Sequence, residues 1–340
     1  MRGFFKRKIF PPLFSISNPI DINAQDNSED FYKNIQDCAQ KSYKEHSRDI
    51  PALKLWHFNG GLDSFSKHHS LLTFYELDQP TEIELNVGKS CDNLIFTSHY
   101  AQKVFKEFGV DSKVIPLAFD SYHFKNINKK YFNDDRIVFN LCGKFEKRKH
   151  HAKIIKAWVK KFGNNKKYFL QCSIYNQHLN EEQNKTLFQQ TLEGKEYFNV
   201  QFLGYLPTNL MYNDYLNSSA IVIGMSGGEG WGLPEFHSVG LGKHAVILDA
   251  SGYKEWATKD NSVLVKPNGK IEVYDGMFFH KGQAFNQGNI YDFNEDEFIA
   301  GCEEAIKRYE SNPVNEEGKK IQKDFTIDKT IDKLLEIMKN

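Results

Sequence analysis

Short apolar runs alternate with amphipathic stretches along most of this 340-residue chain. The runs "ALKLWHF" (52–58), "LLTFYEL" (71–77), "NLIFTS" (93–98) and "SKVIPLAF" (112–119) have the length and character of strands. Between the last two, "HYAQKVFKEFG" spaces its apolar residues as a helix does and ends on Gly109, a helix stop. The polar stretch 126–135, "NINKKYFNDD", reads as a linker, and a second series follows it. "RIVFNLCG" (136–143) predicts a strand and "HAKIIKAWVKKFG" (151–163) a helix closed by glycine. "KKYFLQCSIY", "VQFLGYL", "AIVIGMS", "HAVILDA" and "SVLVKP" predict further strands, most of them followed by helices. From about Asp296 onward the pattern is helical, and no internal repeat is visible.

Such alternation predicts parallel sheets with helices on both faces. The length exceeds that of a usual single domain, so two are expected. We place an amino-terminal domain over 1–125, a carboxyl-terminal domain over 126–311, and a helical tail, 312–340, packing back on the first. In open sheets of this kind ligands bind beyond the carboxyl ends of the strands, so the loops there carry the candidate chemistry.

Composition adjusts this picture only slightly. With 40% hydrophobic and 14% aromatic residues, the chain can fill two cores. Its 44 basic residues balance 44 acidic ones, which speaks against a dedicated polyanion coat. The five cysteines are scattered without a C-x-x-C pair, which predicts reduced thiols and a cytoplasmic location. No run approaches the roughly 18 apolar residues of a membrane span. The start, "MRGFFKRKIFPPLFSI", is a poor secretory signal because Lys8 and Pro11-Pro12 cut its apolar run short.

Two strand-to-helix junctions stand out. "AIVIGMS" runs directly into "GGEGWGLPEFHSVGLG", where Gly227, Gly228, Gly230 and Gly232 allow close approach to bare backbone. Pro234 suits the first turn of the helix that follows, whose unpaired N–H groups suit phosphate or sugar oxygens. Glu229 stands beside those donors, placed to accept bonds from hydroxyls. Alone, this loop would read first as a tight turn with a solvated glutamate. The other junction, "NLCGKFEKRKHH" (140–151), carries Lys144, Lys147, Arg148 and Lys149. Cations there neutralise a diphosphate, with a solvated basic loop as the plain alternative. Both junctions in one domain favour a nucleoside diphosphate sugar site.

The stretch "GMSGGEGWGLPEFHSVGLGKHAVILDASGYKEW" resembles the sugar-nucleotide loop of retaining glycosyltransferases with the GT-B fold. "GKFEKRKHH" resembles the phosphate-binding turn of that family, "FTSHYAQKVFKEFGV" and "SKVIPLAFD" the end of its amino-terminal domain, and "TFYELD" (73–78) a segment of some members. The likeness covers about 70–265. It implies an α/β, GT-B-like architecture of two facing, doubly wound, Rossmann-like domains with a carboxyl-terminal helical crossover. It further implies metal-independent transfer of a sugar, a hexose above all, from a UDP- or GDP-linked donor to a hydroxyl, with retention of configuration and no other cofactor.

Carried over by position, the resemblance gives Glu229 a hydroxyl of the transferred sugar, with the backbone of Gly228, Gly230, Trp231, Gly232 and Leu233 around it. Gly143 opens the phosphate turn, and Lys144 and Lys149 clamp the diphosphate. Lys144 stands where the family usually has arginine, which turns a fork into a point charge. His237 stands where it usually has a second glutamate gripping the ribose, and a neutral imidazole accepts one bond only. His57, before Asn59-Gly60-Gly61, is a candidate for contact with sugar or acceptor, or a satisfied half-buried histidine. Glu76 is a candidate for the cleft. Glu255 reaches the nucleotide or caps the helix that follows it. The tryptophans read as packing residues, Trp231 excepted. No D-x-D and no zinc-like spacing occurs.

The acceptor stays open among glycans, lipids and others. The Asn-, Lys-, Phe- and Tyr-rich composition and the basic start keep glycosylation of modified DNA bases, of a viral kind, as an alternative. A non-catalytic sugar-nucleotide-binding or scaffold protein is a third reading, favoured by His237 and opposed by Glu229 and the lysine turn.

Overall fold

Two parallel sheets carry the computed structural model, which describes residues 1–339 apart from 17–19, 21, 23, 26 and 27. In the amino-terminal sheet β1 (Ala52–Leu55), β2 (His69–Thr73), β3 (Asn93–Phe96) and β4 (Lys113–Val114) lie side by side in chain order, all parallel. Strand periodicity sorts their apolar residues onto two faces. Leu71, Leu94 and Phe96 share a core with Val87 of the helix Glu82–Lys89 and with Ala101, Val104 and Phe105 of the helix His99–Glu107. Leu72 and Ile95 instead meet Leu334 and Ile337 of the helix Ile327–Lys339. The strand order contains no reversal, so this half is wound in one direction. The last helix covers the face that a second set of crossovers would otherwise fill.

The carboxyl-terminal sheet is doubly wound. Its strands are β5 (Ile137–Cys142), β6 (Tyr168–Ser173), β7 (Val200–Phe202), β8 (Ile221–Gly224), β9 (His244–Leu248) and β10 (Val263–Val265). They run parallel in the order β10-β9-β8-β5-β6-β7. Every residue of β5, β8 and β9 is buried, which explains their unbroken apolar runs. The order reverses between β5 and β8. That switch point opens a crevice at their carboxyl ends, where the cation turn and the glycine loop leave the sheet.

An antiparallel hairpin, β11 (Pro267–Glu272) and β12 (Asn289–Phe293), is absent from the apolar pattern of the sequence. It springs from the carboxyl-terminal domain, yet Val273, Phe279 and Ile290 of this segment lie in the amino-terminal core. Asp78 accepts from Lys270 Nζ at 2.8 Å and from the Asn289 N–H at 2.7 Å. Glu84 accepts from the Asn286 N–H at 2.9 Å. The hairpin straps the domains together. The connecting segment is also shared out: Phe119 and Phe124 pack with Phe236 in the carboxyl-terminal core. No helix among the described residues is long and apolar enough to cross a membrane.

Candidate active site at the sheet switch point

The glycine loop and the cation turn are laced together. The Gly227 N–H donates to Arg148 O at 2.9 Å, and Ser226 Oγ donates to Arg148 O at 3.2 Å. Arg148 returns its guanidinium to Gly228 O and to Glu146 Oε1, the latter at 2.7 Å. The Lys149 ammonium donates to Glu229 Oε1, and Arg148 stands 3.5 Å from the same oxygen. Behind it, the Glu229 N–H donates to Ser251 Oγ at 3.0 Å. Glu229 is only 6% exposed. Burial pushes its carboxyl up, but Lys149 and Arg148 more than offset this and hold it below the usual glutamate range. Glu229 is therefore a fixed anion between two cations. Lys144 lies 3.4 Å from Glu146 and 3.7 Å above the Phe278 ring of the hairpin segment. Gly143, at φ 108°, turns the chain out of β5.

At two of the loop's glycines the room that a side chain would need is taken by the opposite domain. A Cβ on Gly228 would stand 2.7 Å from Glu76 O, and one on Gly230 would stand 2.8 Å from Phe74 Cβ. Both partners follow β2 in the opposite domain, and Thr97 Oγ1 donates to Gly230 O at 2.9 Å. These glycines admit the amino-terminal domain. Glu76 is thereby in the cleft, near enough for its charge to act on Arg148. Gly232, at φ 82°, turns into the helix Leu233–Gly240 with the Tyr253 ring against it. The Trp231 side chain is core, 2% exposed beside Phe236, so only its backbone belongs to the loop. Leu233 exposes its side chain and gives its carbonyl to His237.

His237 is spent on packing. Its Nδ1 donates to Leu233 O at 2.9 Å, its Nε2 accepts from the Asp120 N–H at 3.3 Å, and its ring stacks on Phe124 at 4.0 Å. Burial drops its pKa to about 4, so it stays neutral, and neither ring nitrogen is left for a ribose hydroxyl. His237→Glu should therefore destabilise the fold by about 3 kcal/mol, since it buries a carboxylate beside Asp120. Urea denaturation and a UDP titration check this together: a stable variant with raised nucleotide affinity would contradict it. Glu255 serves the domain interface, accepting from the His99 N–H at 2.6 Å and pairing with His99 Nδ1 at 2.8 Å. It binds the first N–H of the helix His99–Glu107 in the other domain, whose N-cap is Ser98, and not the start of a helix that follows it in sequence. His57 is exposed at the end of β1, outside the ion network.

Two further features escaped the sequence. Glu235, 3% exposed, lies behind the loop against Tyr253 with no well-formed hydrogen bond to its Oε2. Burial lifts its pKa to about 7, Lys149 opposing and Glu229 assisting. A raised folded pKa means that its stabilising contribution is complete below the unfolded value, near 4.5, and is lost as pH rises through 7. Glu235→Gln should then stabilise the protein by about 3 kcal/mol at pH 8 and far less at pH 5. Denaturant melts at the two pH values read the difference, and equal shifts would refute it.

The second feature is a cavity of about 290 Å³ over the carboxyl ends of β5, β6 and β7. Gly143, Lys144, Tyr175, Gln177, Tyr205 and Tyr212 border it. Aromatic walls with a few polar groups suit a nucleoside, and Lys144 joins this cavity to the cation turn. The tyrosines just beyond the strands in "SIYNQ" and "LGYLP" were the available signal. Among the described residues no group of three or more His, Cys, Asp or Glu side chains is arranged to hold a metal ion.

No protein-family model matches the chain, and no curated protein matches it. Solved structures do. The chain is similar to sucrose-phosphate synthase from Thermosynechococcus elongatus, with a TM-score of 0.65 and 12% identity over 90% of this chain and 77% of that one. It is similar to HepE from Anabaena, solved with UDP and glucose, with a TM-score of 0.63 and 14% identity over 90% and 81%. A glycosyltransferase from Rickettsia africae gives a TM-score of 0.61 and 13% identity over 99% and 86%. Identities this low establish the fold, and the fold is GT-B.

Proposed function

We propose that this GT-B chain is a retaining, metal-independent glycosyltransferase, moving a sugar from a nucleoside diphosphate sugar to a hydroxyl. One observation carries the reading. Glu229 is held as a buried anion at the switch point, between a helix start and a cation turn whose Gly143 and Lys144 border a cavity of nucleoside size. In this reading the nucleoside fills the cavity, Lys144 and Lys149 hold the diphosphate, and Glu229 accepts a hydroxyl of the sugar. As the sugar C1–O bond breaks, charge grows on the departing phosphate, where the two lysines and the N–H groups at Gly232 and Leu233 meet it.

The same geometry bears on the route. Glu229, kept ionised by two cations, is a poor proton donor, and double displacement would need a second carboxylate on the opposite face of the sugar. A front-face transfer fits better: the acceptor oxygen bonds C1 on the side the phosphate leaves, and its proton passes to a phosphate oxygen. Glu76, on the amino-terminal lip, is placed to orient that acceptor. The complex of the Anabaena protein with UDP and glucose supports a UDP-linked donor here, with a GDP-linked one as the alternative.

Calorimetric titration tests the donor reading. UDP or GDP should bind at least about tenfold more tightly than its nucleoside, because charge-assisted bonds to the phosphates contribute roughly 1.5–3 kcal/mol each. Equal affinities for nucleotide and nucleoside would contradict it.

A further inference from the structure

The carboxyl edge of the amino-terminal sheet carries a second constellation that the donor site leaves unused. β1 ends at Leu55, and Trp56 continues the pairing, its N–H donating to Leu72 O at 3.2 Å. Neighbouring strands lie about 4.8 Å apart, so Trp56 stands one strand over from the end of β2. Beyond that end, Phe74 and Glu76 touch the glycine loop. Trp56 thus lies on the carboxyl edge of the same sheet, one strand over from the segment that touches the glycine loop.

The turn that presents Trp56 is rigidly held. Phe58 is buried and stacks on Phe105 at 5.0 Å. Lys54 Nζ donates to Gly60 O at 2.5 Å and to Asp63 O at 2.8 Å, and the Gly61 N–H donates to Phe58 O at 2.8 Å. Yet Trp56 itself is 37% exposed. A Cβ on Gly60 would meet Asp63 Oδ2 at 3.4 Å and Trp56 Nε1 at 3.5 Å, so the indole N–H and the carboxylate flank one bare glycine. Neither oxygen of that carboxylate has a hydrogen-bond or ion-pair partner among the described residues. His57 is exposed beside the ring, 6.0 Å between centroids.

We propose that Trp56, Asp63 and His57 form the acceptor subsite and that it takes an uncharged saccharide. This rests on the transferase reading above and names the acceptor class for it. An indole face accepts the C–H face of a pyranose, and its N–H supplies a directional contact. The Asp63 carboxylate accepts from hydroxyls, a charge-assisted bond that a saccharide can satisfy at two positions. The same carboxylate repels a phosphate, which turns the site away from nucleic acid and anionic lipid. The adjacent lysines do not reverse this, because Lys54 is spent on two carbonyls and Lys67 pairs with Asp49 at 2.9 Å.

Saturation-transfer NMR and calorimetry with methyl α-glucoside, methyl α-mannoside, methyl β-galactoside and maltotriose test this, beside a hydroxymethylcytosine-containing DNA duplex. At least one saccharide should bind the wild type. Trp56→Ala should weaken that binding about tenfold, Trp56→Phe much less, and Asp63→Asn by about threefold or more. No saccharide binding, unchanged binding in Trp56→Ala, or duplex binding that depends on Trp56 would each overturn the proposal. UDP and GDP, titrated into the same preparations, report on the donor reading alone. Saccharide binding at Trp56 without nucleotide binding would sink that reading and leave the subsite standing.

Discussion

Glu229→Gln should lower turnover of the best nucleotide sugar by about 10²-fold or more while the protein stays folded. The substitution keeps the shape of the side chain and one acceptor oxygen, but removes the charge that the reacting sugar would meet. Glutamine is the informative choice. Alanine would leave Lys149 and Arg148 facing a void where both now meet one oxygen, whereas glutamine keeps an oxygen there for them to donate to. Lost activity in the alanine variant would then mix chemistry with folding. Steady-state kcat/KM, with circular dichroism as the folding control, reads the effect. Turnover within threefold of the wild type would remove Glu229 from the reaction.

Lys149→Ala should weaken UDP or GDP binding by about tenfold or more and leave the parent nucleoside nearly untouched. Its ammonium donates to Glu229 and its side chain is largely buried, so it is already desolvated and fixed in place. A diphosphate arriving there shares a donor that needs little reordering, which is why a single charge has so large an expected effect. Lys144→Ala should cost less, since its side chain is about one-third exposed and its ammonium is divided between Glu146 and the Phe278 ring. Calorimetry with nucleotide and nucleoside side by side separates the cases. Parallel losses for both ligands would mean that Lys149 supports the fold of the crevice rather than the phosphates.

What the sequence discloses follows from how each residue is surrounded. β5, β8 and β9 are buried on both faces, so their apolar runs are continuous and their ends plain. The glycine loop and the lysine turn were legible because they interrupt such runs abruptly. The identity of what presses on Gly228 and Gly230 was not, since a glycine records close approach without recording by whom. His237 shows the same limit. The resemblance puts it where a ribose ligand would stand, but its ring follows Phe119 and Phe124, which arrive from more than a hundred positions away. The hairpin was hidden for a related reason. Val273, Phe279 and Ile290 follow no regular period along their own segment and make their core with residues of the other domain. Its turn signals, such as Asp275-Gly276, were present without an apolar alternation to frame them.

The hairpin also gives the active-site reading a mechanical side. It joins Asp78 and Glu84 on one domain to the segment whose Phe278 supports Lys144 and whose Tyr274 O receives Lys147 Nζ at 2.9 Å. The cation turn is thus braced by the same element that holds the domains in contact, so the proposed phosphate clamp and the closed cleft are set by one piece of chain.

Release of nucleoside diphosphate from a panel of UDP- and GDP-linked sugars, in EDTA, tests the central claim most directly. At least one donor should be cleaved, slowly to water and faster when a saccharide acceptor is added, and Glu229→Gln should lose the activity. A wild-type protein that binds and cleaves none of these donors would contradict it.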